Sequence, residues 1–166
     1  MIRAGLGYDI HRFKKGRKLY LGGIEIPFVQ GLAGHSDGDC LIHAIIDALL
    51  GASGEGDIGQ FFPDTAPKYK DIRSTELLRE VVEKLKAKGI EIIHIDSIVI
   101  AEEPQLSSYI PGMKETLSPI LGVGRERLSI KAKTNEGIGL IGKKRALASW
   151  ALVLVKMQSK SGDEKT

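Results

Sequence analysis

The sequence predicts a two-layer α/β sandwich, a mixed β-sheet with its helices on one face. Three observations carry that prediction. Segments with strand and helix patterning alternate along the chain. The stretch from Ala146 to Met157 is apolar at almost every position, as expected of a central strand buried on both faces. Between Lys18 and Pro27, a Gly22-Gly23 pair supplies the positive φ that a tight hairpin turn requires.

Taken in order, a first strand runs from Ile2 to about His11, followed by the hairpin. Ser36 or Asp37 can then cap a helix from about Gly38 to Leu50. Leu41, Ile42, Ala44, Ile45, Ile46, Ala48 and Leu49 make that helix apolar nearly all round, so it should be buried. Gly51 to Lys70 reads as one long loop, a feature usually tied to function. Ser74 opens a second helix with an apolar stripe through Leu77, Leu78, Val81, Val82 and Leu85, ended by Gly89. An isoleucine-rich strand covers Glu91 to Ala101, and a third helix runs from Pro111 to Leu121, stopped by Gly122. Leu128 to Thr134 is a strand, Asn135 to Gly142 a loop, and the apolar strand closes the fold. No internal repeat is present, and residues 1–158 read as one domain with a polar, disordered tail at 159–166.

Composition narrows the function. With 42% hydrophobic and 27% charged residues, the chain has the balance of an ordinary globular protein. A net charge of +3, spread along the chain and accompanied by few aromatic residues, argues against nucleic acid as a partner. The single cysteine, Cys40, excludes an intrachain disulfide and fits a reducing compartment; it reads as a small buried helix residue. No apolar run spans a bilayer and no leader is recognisable, so a cytoplasmic protein without membrane contact is expected. Glycine is in excess, 20 of 166 where usual composition gives roughly 12, and it clusters beside polar residues.

Those clusters lead to the chemistry. Asp9 and His11 are two apart on a strand, so period-two alternation points them the same way. His43, on the following helix, can join them. Two imidazoles and one carboxylate suit Zn²⁺ and leave a fourth tetrahedral position open, which marks a catalytic rather than a structural site. The same set is the facial triad of non-haem iron oxygenases, but the long amphipathic helices argue against the all-β barrel that usually houses it. Asp39 and Asp47 lie one helical turn either side of His43, where either carboxylate could orient its ring. The run from Gly137 to Lys144 has P-loop spacing but carries Lys144 in place of the required Ser or Thr, and a strand rather than a helix follows.

Several blocks together resemble the 2-C-methyl-D-erythritol 2,4-cyclodiphosphate synthase family of the non-mevalonate isoprenoid pathway. They are Gly5 to His11, Gly34 to Asp39, Gly56 to Gly59 with Phe62 to Thr65, and Lys131 to Gly139. The resemblance implies a homotrimer with active sites between subunits. Its substrate would be the CDP ester of methylerythritol 2-phosphate, cyclised by intramolecular phosphoryl transfer with release of CMP. Asp9, His11 and His43 match the family's zinc ligands, and Glu136 matches the residue reaching Mg²⁺ or Mn²⁺ on the diphosphate. His35 and Thr134 match groups that stabilise the transition state.

The matching substrate pocket takes Asp9, Ile10, His11, His35 and Ser36, then Asp57, Ile58, Gly59, Phe62, Pro63, Asp64, Thr65 and Ala66 around the erythritol phosphate. Ala101, Pro104, Gln105, Leu106, Ala132, Lys133, Thr134, Asn135 and Glu136 match the cytidine and diphosphate side, contributed across the interface. Leu140 and Lys143 complete the set. In this last region the chain departs from the family pattern: Leu140 replaces an aromatic residue, Lys143 an arginine and Arg145 a glutamate. Lys143 keeps the charge but not the bidentate grip of arginine on phosphate. The family's isoprenoid diphosphate on the trimer axis is accordingly an open expectation for this chain.

Overall fold

The computed structural model describes residues 1–63 and 65–157. In chain order the elements are β1 (Ile2–Lys15), the hairpin β2 (Leu19–Leu21) and β3 (Ile24–Ile26), β4 (Gln30–Leu32), α1 (Cys40–Ser53), α2 (Ile58–Phe61), α3 (Ser74–Ala87), β5 (Ile90–Ile100), α4 (Ile110–Leu121), β6 (Leu128–Lys133), α5 (Gly139–Gly142) and β7 (Ala146–Met157). Five strands form one mixed sheet in the order β4-β1-β7-β5-β6, and β2-β3 stand apart as the expected hairpin. Gly22 and Gly23 have φ of 60° and 81°, as the turn demands. β7 pairs antiparallel with β1 and β5, whereas β5 and β6 run parallel and are joined through α4, the crossover that parallel pairing needs.

α1 is the pivot between sheet and site. Nearly all of its residues are buried, as its all-round apolar pattern requires. Its closeness to β1 comes from small residues on both sides. A Cβ added at Gly5 would lie 1.9 Å from the Ala48 carbonyl oxygen, and one at Gly7 would lie 1.9 Å from that of Ala44. Strand and helix backbones therefore touch, and His43 on α1 is brought over Asp9 on β1.

The helix starts at Cys40 and not near Gly38, and its cap is Asp39 rather than Ser36 or Asp37. The Asp39 carboxylate accepts from Ile42 N at 3.1 Å and from the Gly22 and Gly23 amides at 3.0 and 2.7 Å. One side chain thus fastens the hairpin turn to the head of α1. Asp37 caps a different helix: its carboxylate accepts from Ser74 N, at the head of α3.

Other expectations need correction. β1 continues to Lys15, because Phe13 to Lys15 pair with β4. β4 itself, three residues around Gly31, is too short to show alternation; that glycine is required because a Cβ would lie 2.0 Å from the Lys18 carbonyl oxygen. The long loop after α1 contains α2 and a 3₁₀ turn at Pro67–Tyr69, and the loop after β6 contains α5. β7 is not buried on both faces: Trp150 and Leu152 are 41% and 44% exposed. They lie on the sheet face that carries no helices, beside Leu6, Tyr8 and Ile10, which are also exposed. The tail expected at 159–166 lies outside the described residues.

Candidate metal centre and substrate pockets

Asp9 and His11 leave β1 on the α1 side and meet His43 there. His11 Nε2 and His43 Nδ1 lie 2.8 and 3.0 Å from the same Asp9 oxygen, Oδ2, and 3.1 Å from each other. Ligand atoms around tetrahedral zinc stand about 3.3 Å apart, so this donor set needs only a few tenths of an ångström of opening to hold such an ion. Among the described residues it is the group of His, Cys, Asp and Glu side chains able to hold one cation.

The electrostatics agree. Burial works to raise the Asp9 pKa, but the hydrogen bonds and charges of His11 and His43 outweigh it and hold the carboxyl well below the usual range. For His11, burial lowers the pKa, yet the hydrogen bond and charge of Asp9 leave it raised. An anionic Asp9 between two imidazoles is the state a cation would find.

Asp39 and Asp47 do not orient His43, contrary to the helical-spacing argument. Asp39 is committed to the cap, and Asp47 accepts from Ile58 N at 2.8 Å, which anchors the start of α2. His43 Nε2 instead meets two hydroxyls, Ser36 Oγ at 3.1 Å and Ser74 Oγ at 2.9 Å. Ser74 is distant in sequence and gave no signal of a role there.

A cavity of about 240 Å³ opens from these three side chains, lined by His35, Ser36, Ile58, Gly59, Phe62, Tyr69 and Leu77 among others. His35 contributes a buried Nε2 with no hydrogen-bond partner among the described residues, a donor or acceptor aimed at nothing in the chain itself. Asp57 caps α2, accepting from Gln60 N at 2.9 Å, and that hydrogen bond keeps its pKa low. Pro63 and Ala66 form the following turn, with Ala66 N donating to Pro63 O at 2.9 Å, and Thr65 lies inside it. Asp64 lies outside the described residues. Ile10 does not face this cavity; it points to the opposite side of the sheet and is 42% exposed.

The remaining site residues gather elsewhere. A second recess is lined by Ala101, Pro104, Gln105, Leu106, Ala132, Lys133 and Thr134, with Glu102 and Ser107. Thr134 Oγ1 donates to Glu136 Oε1 at 2.6 Å. Glu102, unnoticed in the sequence, accepts from Asn135 N and Gly137 N and so holds the turn that presents Glu136. Glu136 itself has φ of 50°, a left-handed conformation unusual for a residue with a side chain. Leu140 borders a third recess with Arg12, Phe13, Gln30, Lys144 and Arg145, and Lys143 sits at the C-terminal cap of α5.

The first two recesses lie at one end of the sheet but three strands apart. Ile10, Ala148, Ile100 and Lys133 are in register across β1, β7, β5 and β6. At the usual strand spacing this puts the strand segments bearing the two recesses about 14 Å apart within one chain.

A mixed α/β sandwich with an open two-histidine, one-carboxylate cluster at the end of its sheet defines a class of enzyme with a candidate cation site. The chain belongs to the YgbB family, which it matches over residues 2–156. A Caldicellulosiruptor bescii protein named 2-C-methyl-D-erythritol 2,4-cyclodiphosphate synthase is 50% identical over 155 residues, covering 93% of this chain and 99% of its own length. A protein of the same name from Syntrophus aciditrophicus is 52% identical, covering 93% and 98%. Among solved structures, the Plasmodium falciparum IspF CDP complex superposes with a TM-score of 0.83 at 35% identity, covering 95% of this chain and 97% of that one. The bifunctional IspDF of Campylobacter jejuni reaches 0.91 at 40% identity, and the match takes in 96% of this chain but 43% of that longer one.

Proposed function

We propose that the chain converts 4-diphosphocytidyl-2-C-methyl-D-erythritol 2-phosphate to 2-C-methyl-D-erythritol 2,4-cyclodiphosphate and CMP, a phosphorus–oxygen lyase reaction of isoprenoid precursor biosynthesis. Family membership names the reaction, and the convergence of Asp9, His11 and His43 on one point carries it. Asp9, His11 and His43 would hold Zn²⁺, and Glu136 would hold Mg²⁺ or Mn²⁺, the ions supplying Lewis acidity and charge neutralisation at the diphosphate.

The chain's own groups do the rest. The reaction joins two anionic phosphates, so its demands are in-line placement and charge neutralisation rather than a protein nucleophile. His35, whose buried Nε2 has no partner among the described residues, would turn to donate to an oxygen of the transferring phosphoryl group. Thr134 of a neighbouring subunit would do the same from the other side, its hydroxyl leaving Glu136 for the substrate. The erythritol phosphate is read by Ser36, Ile58, Gly59 and Phe62 with the turn from Asp57 to Ala66. CMP leaves from the recess between Ala101 and Thr134.

A homotrimer with sites between subunits explains the split. Within one chain the strands bearing the two recesses stand about 14 Å apart, and a neighbour that set its own recess beside the cluster would bring both onto the diphosphate. The bare sheet face supports this, since exposed apolar patches of such extent mark interfaces. Ile10, exposed on that face, would reach substrate across the subunit boundary. Arg12, Lys144 and Arg145 gather near Leu140, and three copies on an axis would favour an isoprenoid diphosphate there; a rise in melting temperature with geranyl diphosphate is the expected sign. The expected setting of the reaction is the cytoplasm, without nucleic acid or membrane, as a net charge of +3 spread along the chain suggests. No described helix is long and apolar enough to cross a membrane.

The decisive experiment is mass spectrometry after incubation with the CDP-methylerythritol phosphate and Mg²⁺. CMP with the cyclic diphosphate is expected. A linear phosphate product would instead make the chain a hydrolase.

A further inference from the structure

We infer that Asp37, acting through Ser74, sets His43 in the tautomer that can bind a metal, which makes Ser74 and Asp37 positioning residues of the candidate metal centre. The inference rests on the reading of Asp9, His11 and His43 as ligands and extends it to groups that touch neither metal nor substrate.

The geometry is a relay of three buried groups. His43 Nδ1 faces Asp9 and His11, so Nδ1 must present its lone pair if it is to ligate. Its other nitrogen, Nε2, lies 2.9 Å from Ser74 Oγ, and Ser74 Oγ lies 2.5 Å from Asp37 Oδ1. Ser74 is 0% exposed and Asp37 is 6% exposed, so water does not compete for either.

The direction of each bond follows from what surrounds Asp37. Its Oδ1 also accepts from Asp39 N at 3.2 Å, and its Oδ2 accepts from Ser74 N at 3.1 Å and from Arg73 Nε at 3.0 Å. Every partner is a donor, and the guanidinium supplies a compensating charge, so Asp37 serves as a pure acceptor. The one hydrogen of the Ser74 hydroxyl is thereby committed to Asp37. What Ser74 turns toward His43 is a lone pair, and a lone pair can only accept. Nε2 must then carry the hydrogen, and Nδ1 is left bare for the cation. Ser36 Oγ, 3.1 Å from the same nitrogen, accepts from Gly38 N and has no carboxylate among the described residues to direct its hydrogen. Ser36 can turn its hydrogen to the other Ser74 lone pair, 3.4 Å away, and so leaves the tautomer to Ser74.

Arg73 extends the relay to the surface. It lies over the Tyr20 ring, 4.0 Å from its centroid, and donates to Gly23 O at 3.0 Å. The guanidinium is thus held in place from two sides while it pairs with Asp37.

The test measures Zn²⁺ affinity of the metal-stripped chain by competition with a chromophoric chelator, for the parent, Ser74→Ala, Asp37→Asn and the double variant. Melting temperatures of the metal-free forms are compared beside them. A loss of 10- to 100-fold in affinity is expected for Ser74→Ala, the range typical of groups that orient a metal-bound histidine. The double variant should lose little more than either single one, because both changes break the same relay. ¹⁵N-histidine spectra of the zinc-loaded parent should show the His43 hydrogen on Nε2, and metal-free Ser74→Ala should show both tautomers. Zinc affinity of Ser74→Ala within threefold of the parent, with its fold intact, would overturn the inference, as would zinc bound through Nε2. Failure of the parent to bind zinc at all would sink the ligand assignment itself, a separate outcome. Should Asp37→Asn fail to fold, Ser74→Ala and the spectra still decide.

Discussion

Single residues in this chain do work that their neighbours in sequence do not reveal. Asp39 is completely buried, and burial first, then the charge of Asp37, push its pKa up to about 6 although the amides of Gly23, Ile42 and Gly22 pull the other way. An unfolded aspartate titrates near 3.9, so the folded chain holds this proton more tightly. The stability that follows is fully present below about pH 4 and is lost as pH rises through the folded value, by on the order of 3 kcal/mol. Urea unfolding midpoints between pH 4 and 7 should fall accordingly for the parent. Asp39→Asn, less stable throughout for want of its second acceptor oxygen, should lack that fall. His11→Ala makes the complementary case. Its ring is partly exposed and belongs to no cap or core, so the variant should stay folded, with a melting temperature within a few degrees of the parent. Its zinc affinity should drop by more than about 100-fold, as removal of one of three ligands implies, and cyclisation should cease.

Among the elements, the contact of β1 with α1 has the largest effect on the site. Gly7→Ala would drive a methyl group into the Ala44 carbonyl, so α1 must retreat. The expected cost is ~3 kcal/mol by the usual penalty for overpacking, read as a lower urea midpoint. Because His43 rides on α1, zinc affinity should fall as well, which a purely surface change would not cause. Much of this level was legible in the sequence. The Asp9–His11 spacing on a strand and the apolar α1 that carries His43 follow from periodicity, and the three side chains meet as that reading requires. What escaped it depends on contact across the chain. Ser74 meets His43 only because α3 packs on α1, and Asp37, in the loop ahead of α1, caps α3 instead. β4 and α5 are too short for any period to show. Helical spacing alone put Asp39 and Asp47 beside His43, but both carboxylates are held by backbone amides instead.

For the whole molecule, the bare sheet face is the feature on which the proposed assembly rests. Tyr8 and Trp150 pack with ring centroids 4.5 Å apart and planes tilted by 45°, and Leu6, Ile10 and Leu152 extend the patch along the strands. Leu152→Glu places a charge in its middle, where burial without a partner is costly. Sedimentation should show the parent as a trimer and the variant as a monomer. The variant should keep its zinc, since Asp9, His11 and His43 belong to one chain, yet lose cyclisation, since the recess that completes each site would be gone. Zinc retained with activity retained would mean that one chain suffices.

The left-handed turn at Glu136 carries a last consequence. A side chain there costs roughly 1–2 kcal/mol that glycine would not incur. A library selected for heat resistance alone should therefore drift toward Glu136→Gly, and its hardiest survivors would be inert. With Glu136 in its proposed place at the second cation, fitness for the reaction and endurance of the fold would pull in opposite directions at that one position.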